Sequence, residues 1–538
     1  VLGGNQAQKA KAEVTASHAT TTPDKLTWMA LGFVPSALLV AVTSHITTDV
    51  ASVPLLWILP LALYLLSFVV AFDAQKGRLV SALIAAQPLI AAMLLLGWLV
   101  HSYWLLALHL AFFFVSATVC HARLYDMRPP AHNLSAFYLC LSFGGVLGGG
   151  FTTLLAPAVF NTVMEYPLLI AAALCCRAGF VEDARSYGPG KLALFAALAA
   201  GALAVAYATS VFVHVPVWAV LVCLGALAAV IGMSRERPAR LVAAATLGLG
   251  IILLIQGGRD VIERARSFFG VHTVTLSPDG RVHKLVHGNT VHGVERFLDD
   301  ANQPLPGRPE PAAYFQPNGV YAHAIGAMRA AQGGKINRAA VIGLGMGALA
   351  CHTRPGEDWT FFEIDPVVIR IARDPNLFRS LSVCAPDARI VSGDGRLTLA
   401  EANGTFDLIV IDAFSSDSVP VHLLTREALA LYAAKLNPHG AIIFNISNRY
   451  MVLGPTVAMS AAANGLITRE AADRIKDDRE TALVAAAQIA VVARTPDQLG
   501  ALAASPNWRA PVPTAGETPW TDDYSNILTP LMRKLRPR

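Results

Sequence analysis

Long apolar segments fill the first half of the chain, and shorter alternating ones follow in the second half. Between residues 28 and 257, nine stretches carry few charges, and most approach the length of about 20 apolar residues that a helix needs to cross a bilayer. They are 29–46, 51–72, 79–99, 102–120, 134–157, 164–179, 191–211, 215–233 and 240–256. The pattern predicts a multi-pass α-helical membrane domain with eight or nine hydrophobic segments.

Basic residues occur in every second loop between these segments, which marks those loops as cytoplasmic. They are Lys76, Arg78, Arg123, Arg128, Arg177, Arg185, Arg235, Arg237 and Arg240. Taken literally, a last crossing at 240–256 would place the C-terminal half outside the cytoplasm. The apolar runs 166–176 and 241–255 are short for a crossing. If either fails to cross, the C-terminal half returns to the cytoplasm, and the sequence leaves both possibilities open.

One apolar segment contains the run "FGGVLGGGF", with the pairs Gly144/Gly148 and Gly145/Gly149. Small residues four positions apart let two helix backbones approach closely. The run therefore predicts a helix–helix packing face.

The second half changes its period. Residues 266–297 alternate between apolar and polar and contain turn residues, which predicts a small antiparallel β unit. After it, buried strands alternate with helical stretches, including helices from about Met346 and over 365–373, and a late strand lies near 487–494. This order predicts a parallel sheet covered on both faces, a Rossmann-like α/β domain.

These patterns divide the chain into four expected parts. They are a flexible N-terminal segment at 1–27, the membrane domain at 28–257, a linker with the small β domain at 258–325, and a nucleoside-binding catalytic domain at 326–538.

Polar residues and glycines follow the predicted strands, where ligands bind in such sheets. "GLGMG" brings Gly343, Gly345 and Gly347, the next strand ends in Glu363, and "SGDGR" and "FDLIVIDAF" contribute Asp394 and Asp412. A dinucleotide site typically has G-x-G-x-x-G, whereas the spacing here is G-x-G-x-G. The set favours an S-adenosylmethionine-type nucleoside. Each acid could instead cap the helix that follows it.

The composition supports a membrane protein, because only 15% of residues are charged, against about 25% in soluble proteins. The net charge of +5 forms no long basic run, so nucleic-acid binding is not expected. The seven cysteines form no pair or Cys/His cluster with zinc spacing. We therefore expect no metal site and reduced cysteines.

Several motifs together resemble the spermidine synthase family of aminopropyltransferases, in its membrane-fused bacterial branch. They are "VIGLGMGALA", "FFEIDPVVI", "SGDGRLTL", "DAFSSDSVPVHLLTREAL" and "PWTDDYSNIL", together with "VTSHITTDVASVPLLWILPLALYLLSFVVAF" and "EYPLLIAAAL" in the membrane half. The resemblance implies a methyltransferase-type fold with a small N-terminal β domain. It implies aminopropyl transfer from decarboxylated S-adenosylmethionine to a polyamine such as putrescine, giving spermidine and methylthioadenosine.

The resemblance also implies roles for individual residues. The three loop glycines would cradle the nucleoside, Glu363 would bind the ribose, and Asp394 with Gly395 the adenine. Asp412 would be the general base or amine anchor, and Asp417 the second acid. Substrate contacts would come from Tyr314, His292 and Ser415. The residues to which the resemblance gives a role are Gly343, Gly345, Gly347, Glu363, Asp394, Gly395, Asp412, Asp417, Tyr314, His292 and Ser415.

The resemblance further implies that the substrate is a polyamine and that a homodimer is one available assembly. It also implies that the chain contacts a lipid bilayer, the bacterial cytoplasmic membrane, with the catalytic half facing the cytoplasm. Two departures matter. Soluble relatives carry an acid inside the glycine loop, and here that place is Met346; the loop "DAFSSDS" is also longer than their compact acid-Ser-Ser-acid run. Two alternatives therefore stay open. One is a methyl- or alkyltransferase that uses ordinary S-adenosylmethionine on a hydrophobic acceptor. The other is a polyamine transporter or sensor without turnover.

Overall fold

The computed structural model describes residues 21–47, 55–73, 77–97, 104–212, 217–256, 260–288, 290–413, 420–473 and 485–535. The chain divides into two compact units. The first comprises Val1–Ala51 and Leu55–Arg259, and the second comprises Ser52–Pro54 and Asp260–Arg538.

Helices make up the secondary structure described in the first unit. They are α1 (Thr22–His45), α2 (Ile58–Phe72), α3 (Gly77–Gly97), α4 (Trp104–Asp126), a 3-10 helix (Ala131–Asn133), α5 (Leu134–Gly150), a π-helix (Phe151–Leu155), α6 (Ala156–Val159), α7 (Glu165–Cys175), α8 (Phe180–Ser186), α9 (Gly188–Phe212), α10 (Val217–Met233) and α11 (Pro238–Gln256). Each predicted apolar segment contains a helix in the described part of the chain. The first begins with a capping box, in which Thr21 and Asp24 satisfy each other's backbone N–H groups.

Fewer of these helices than predicted have the full length of a crossing. Within the described residues, four runs are long and apolar enough to span a membrane: Thr22–His45, Gly77–Gly97, Trp104–Asp126 and Ala131–Val159. The bent pair Phe180–Ser186 and Gly188–Ala204 would add a fifth. The two segments that the sequence marks as short are both among the apolar helices of 10–17 residues, as Glu165–Cys175 and Pro238–Leu254.

The glycine run of α5 packs against α1. A Cβ added at Gly144 would collide with the carbonyl of Met29, and one at Gly148 with the carbonyl of Phe33. Between them, Ser36 of α1 donates its hydroxyl to the carbonyl of Gly145 at 2.8 Å. The predicted packing face is therefore present for the Gly144/Gly148 pair. The second pair differs, because a Cβ at Gly149 would meet nothing within 4 Å.

This contact gives a first testable prediction. Gly148→Leu should destabilise the first unit by about 1–3 kcal/mol or more, because the new side chain must displace helix backbone and not a flexible side chain. Gly149→Leu is the matched control, one residue away in open space. Thermal unfolding of the two detergent-purified variants measures the difference. Equal midpoints would show that the close approach of α1 and α5 contributes nothing.

The second unit starts with the predicted antiparallel β unit. In the described chain its strands are β1 (Val261–Ser267), β2 (Gly270–Leu276), β3 (Val282–His287) and β4 (Thr290–Arg296), paired in the order β1-β2-β3-β4.

A larger sheet follows, with its strands in the order β10-β11-β9-β8-β5-β6-β7 among the described residues. These are β5 (Arg338–Ile342), β6 (Asp358–Glu363), β7 (Arg389–Ser392), β8 (Phe406–Ile411), β9 (Leu436–Asn445), β10 (Ile467–Ala472) and β11 (Gln488–Ala493). From β9 to β7 all neighbours are parallel, as predicted. The late strand β11 is instead antiparallel to β9 and to the unpredicted β10.

The helices of this unit are α12 (Val320–Ala331), α13 (Pro366–Arg373), α14 (Ser380–Cys384), α15 (Gly395–Glu401), α16 (Arg426–Lys435), α17 (Gly454–Ala462) and α18 (Leu528–Leu535). The helix predicted from Met346 is wrong. A 3-10 helix, Ala348–His352, stands there. The following Pro355 and Gly356 explain its early end, since proline disfavours helical geometry in the residue before it.

The larger sheet is buried on both faces, which gives the Rossmann-like architecture expected from the sequence. Along β8, Leu408 and Val410 join the core on one face of the sheet, while Ile409 and Ile411 join the core on the other. Successive strand residues point to opposite faces, so a continuous apolar strand is what a doubly covered sheet requires.

Two cysteines are not in the reduced state that the sequence led us to expect. Cys351, in the 3-10 helix after the glycine loop, forms a disulfide with Cys384 of α14. The expectation that every cysteine is reduced is therefore wrong for this pair.

Candidate active site

A cavity of about 280 Å³ opens at the carboxyl ends of the parallel strands. The chain leaves β5 toward β6 on one side and later returns to β8 on the other, so a crevice forms between the ends of β5 and β8. Gly343, Glu363, Asp394 and Asp412, each from a different strand end, line this one cavity. The structure thus brings together the four groups that the sequence predicted to meet.

The glycine loop adopts a backbone that other residues rarely adopt. Gly343 has φ of +98° and Gly347 has φ of +87°. A Cβ on Gly343 would collide with the backbone of Asp412, so this glycine lets β5 and β8 approach at their ends. Gly345 lines the cavity, but Gly347 is not among its lining residues. Instead Gly347 packs closely against Leu381.

Glu363 ends β6 beside the glycine loop. Its carboxylate accepts hydrogen bonds from the backbone N–H groups of Leu344 and Asp365, both at 2.9 Å. Burial raises the pKa of Glu363, and these backbone bonds oppose that shift. The carboxylate is thereby fixed at the cavity wall, with lone pairs left to accept from the hydroxyl groups of a ribose.

Asp394 serves first as a helix cap. Its Oδ1 accepts from the N–H groups of Arg396 and Leu397 at 2.9 and 3.0 Å, which caps α15. Its Oδ2 lies 3.2 Å from Nε2 of His422. The capping alternative therefore holds for Asp394, although the residue also lines the cavity. The neighbouring Gly395 is close to Ile342, where a Cβ would clash.

The terminal motif contributes a residue that sequence reasoning missed. Asp522 accepts two hydrogen bonds from the guanidinium of Arg396, both at 2.7 Å, and one from the hydroxyl of Thr425 at 2.8 Å. The bonds from Arg396 lower the pKa of Asp522 to about 2. Asp522 thus ties the start of α15, beside the cavity, to the start of α16.

Asp412 follows the end of β8, at the cavity wall. Its Oδ1 accepts from the amide of Asn445 at 2.6 Å and from the hydroxyl of Tyr321 at 3.2 Å. Burial raises the pKa of Asp412 to about 7, against the opposing effect of these two bonds. A carboxylate with a pKa near neutrality can both take up and release a proton, as a general base must.

Tyr321 and Asn445 were also missed. Asn445 is the last residue of β9, so the rule that selected the other strand ends could have found it. Tyr321 lies in the first turn of α12, and no sequence signal connects that helix with Asp412.

The remaining predicted site residues divide into two groups. Tyr314 and His292 both line the cavity, and the Tyr314 hydroxyl donates to the backbone carbonyl of His292 at 3.1 Å. Burial raises the pKa of Tyr314, and the charge of Asp412 adds to the shift. Ser415 and Asp417 lie outside the described residues.

Comparison with known proteins supports the resemblance of the motifs. No protein-family profile matches the chain. A polyamine aminopropyltransferase of Vibrio vulnificus (strain CMCP6) is 32% identical over 117 residues, which are 21% of this chain and 38% of that protein. The chain resembles the polyamine aminopropyltransferases. The aminopropyltransferase-like match spans 38% of the length of this relative.

Solved structures of similar fold include three spermidine synthases. The enzyme from Thermotoga maritima aligns with a TM-score of 0.32 and 17% identity, covering 44% of this chain and 73% of that one. A spermidine synthase in complex with the transition state analogue AdoDATO gives 0.32 and 16%, with coverages of 44% and 73%. A probable spermidine synthase from Corynebacterium glutamicum ATCC 13032 gives 0.30 and 15%, with coverages of 43% and 78%.

Proposed function

We propose that the second unit is an aminopropyltransferase that moves an aminopropyl group from decarboxylated S-adenosylmethionine to an amine such as putrescine. The products would be spermidine and methylthioadenosine. The observation that carries the proposal is Asp412, a carboxylate with a pKa of about 7 at the switch point of the sheet, beside a nucleoside-type glycine loop. The resemblance to an aminopropyltransferase supports the same reaction.

The chemistry explains why a poised carboxylate is useful. An ammonium is no nucleophile, because a proton occupies its lone pair. Asp412 would take that proton, and the freed amine would attack the propyl carbon attached to the sulfonium. The new C–N bond forms as the C–S bond breaks, and the electron pair of the C–S bond stays on sulfur. Tyr321 and Asn445 would hold the carboxylate in place during this step.

The donor would bind through the residues at the other strand ends. Gly343 and Gly345 leave room for a close approach of the nucleoside to the backbone. Glu363 would accept from the ribose hydroxyls. The free lone pairs of Asp394 would accept from the adenine amine, in addition to its capping role, beside Gly395.

The decisive experiment is a product assay with the detergent-purified chain. Decarboxylated S-adenosylmethionine and putrescine are supplied together, and mass spectrometry follows methylthioadenosine and spermidine. Formation of both products in equal amounts is the expected result. If neither forms while methylthioadenosine binds, the reaction is assigned wrongly.

The same cavity carries one observation in favour of a second function. Met346, buried and apolar, contributes to the cavity wall from inside the glycine loop. Without an acid there, ordinary S-adenosylmethionine could be the donor, for methyl or alkyl transfer to a hydrophobic acceptor. Preferred binding of ordinary S-adenosylmethionine over its decarboxylated form, without spermidine formation, would favour this alternative.

The first unit supports a membrane-anchored enzyme. Its long apolar helices suit a multi-pass membrane protein. That the membrane is the bacterial cytoplasmic one, with the catalytic unit facing the cytoplasm, is part of the proposal. Labelling of a cysteine introduced at the exposed Asp387 by a membrane-impermeant maleimide, in intact and in lysed cells, tests the orientation. Labelling of intact cells would place the unit outside the cytoplasm. The homodimer remains a prediction.

The pKa of Asp412 predicts how activity depends on pH. Because the base must be ionised, kcat/KM should fall about tenfold for each pH unit below a pKa of about 7 and level off above it. Initial rates in overlapping buffers measure this profile. A profile that stays flat through neutrality would mean that Asp412 does not titrate as the essential base.

A further inference from the structure

Three histidines of the β unit line the same cavity as Asp412. His272 on β2 and His287 on β3 are direct cross-strand partners, so their side chains share one face of the sheet. Their ring centroids are 4.7 Å apart, and the ring of His292, on β4, lies 5.7 Å from that of His287. We call these three residues the histidine wall.

A carboxylate holds one end of the histidine wall. Asp365 accepts a hydrogen bond from the hydroxyl of Ser267 at 2.5 Å, and its oxygen lies 2.8 Å from Nε2 of His272. It also caps α13 through the N–H of Val367. Although burial alone would raise the pKa of Asp365, the bonds from His272 and Ser267 bring it below its usual value. Asp365 is therefore an ionised acceptor with several donors already in place.

The contact with Asp365 determines which ring nitrogen of His272 is left without a hydrogen-bond partner. A neutral imidazole has one N–H and one lone pair. In the neutral tautomer whose Nε2 donates to Asp365, the lone pair stands on Nδ1, which is buried and has no hydrogen-bond partner among the described residues. Burying a polar atom without a partner is unfavourable, so Nδ1 requires a donor from a ligand or from water.

The other end of the histidine wall presents a second such atom. Nε2 of His292 is buried and also has no partner in the part of the chain that the structure describes. Burial, followed by the neighbouring His287 and His272, lowers the pKa of His292 to about 3. The ring is therefore neutral near pH 7, and it can accept a hydrogen bond.

The surrounding cavity favours a cation over an anion at this place. The described lining residues include no lysine or arginine, whereas four carboxylates line the cavity. In the glycine loop, Met346 packs so closely against Gly293 of β4 that a Cβ there would collide with its thioether. The glycine loop therefore contributes an apolar side chain, and no carboxylate, beside β4.

We propose that His272 and His292, with His287 beside both rings and Asp365 as support, bind a primary ammonium group of a substrate through imidazole lone pairs. The inference rests on the proposed function, in which both the aminopropyl donor and the amine acceptor carry such a group. It identifies the chemistry that the histidine wall recognises. The ammonium could belong to the aminopropyl donor or to the amine acceptor, and the ligands used in the test distinguish these two sources.

The test compares ligands with and without the ammonium. Calorimetry with the full chain measures its affinity for three ligands. The first is methylthioadenosine, which has no ammonium group. The others are decarboxylated S-adenosylmethionine, and putrescine added in the presence of methylthioadenosine. For His292→Leu, we expect affinity for an ammonium-bearing ligand to fall about tenfold or more, as for loss of a hydrogen bond to a charged group. Affinity for methylthioadenosine should stay within about twofold, which also shows that the variant is folded.

Further variants separate a role in binding from a role in structure. His292→Gln keeps a hydrogen-bond acceptor and should recover most of the lost affinity. His272→Leu should reproduce the loss at the other end of the wall. His283→Gln is the matched control, because His283 lies on β3, bonds through Nδ1 to the carbonyl of Leu377, and does not line the cavity. It should bind all three ligands as the wild type does.

Each outcome has a defined meaning. A loss confined to the decarboxylated donor assigns the histidine wall to the aminopropyl ammonium, and a loss confined to putrescine assigns it to the acceptor. Unchanged affinity for both, or an equal loss for methylthioadenosine, overturns the inference. If the wild type makes spermidine while the variants bind normally, only this inference fails. If the wild type binds methylthioadenosine but neither ammonium ligand, the proposed function fails with it.

Discussion

Asp412→Asn is expected to lower kcat by about 10²–10⁴-fold, which is the usual contribution of general acid–base catalysis. Asparagine has nearly the shape of aspartate and can still accept from Asn445 and Tyr321, so the site should keep its geometry. What it loses is the capacity to take a proton from the amine. Binding of methylthioadenosine should therefore stay within about twofold of the wild type.

Single-turnover kinetics with saturating donor and acceptor measure this effect on the chemical step. The exposed Asp387, away from the cavity lining, provides the matched control as Asp387→Asn. If the Asp412→Asn protein turned over at the wild-type rate, Asp412 would have no role as the base. A parallel loss of methylthioadenosine binding would assign it to the donor site instead.

Glu363→Gln should affect affinity more than turnover. The glutamine oxygen can accept one of the two backbone bonds now made to Leu344 and Asp365, but the side chain no longer offers a charged acceptor to the ribose. We expect methylthioadenosine to bind about 10–100-fold more weakly, as for the loss of hydrogen bonds to a charged group. At saturating donor, kcat should be largely retained.

Calorimetry measures the affinity, with Glu401→Gln, exposed at the end of α15, as the control. Glu363→Ala would leave two buried N–H groups without an acceptor, so its thermal unfolding should be measured as well. Unchanged affinity in a folded Glu363→Gln protein would contradict the ribose assignment.

The sequence predicted those parts of the fold that local pattern controls. Uninterrupted apolar residues in 408–411 indicated a doubly covered strand, and the strand Phe406–Ile411 is buried along its length. The rule that ligands bind at strand ends led to Gly343, Glu363 and Asp412, because the carboxyl ends of parallel strands share one edge.

The remaining features depend on contacts between distant parts of the chain. The bond from Tyr321 to Asp412 joins a helix and a strand end that are 91 positions apart, and that from Arg396 to Asp522 spans 126. The direction of β11 depends on its pairing with β9 and not on its own composition. For Asp394, the sequence was consistent both with adenine binding and with a helix cap. Only the observed hydrogen bonds from the backbone N–H groups of Arg396 and Leu397 established the capping role.

The burial of Asp412 has a consequence for the whole unit. In an unfolded chain an aspartate ionises near pH 3.9, whereas Asp412 does so near 7 in the folded protein. Across this window the folded state binds the extra proton, so its free energy of unfolding declines as the pH rises, by about 4 kcal/mol in total. Below the window that loss is absent.

An uncharged residue at position 412 would avoid this loss. The Asp412→Asn protein should therefore melt at a higher temperature than the wild type in mildly alkaline buffer, and the advantage should disappear in acid. Differential scanning calorimetry at both pH values would measure it. The ionised Asp412 thus lowers the stability of the unit while it provides the base for the reaction. The Asp412→Asn protein, which is more stable and inactive, is therefore the form in which a complex with both substrates should be prepared.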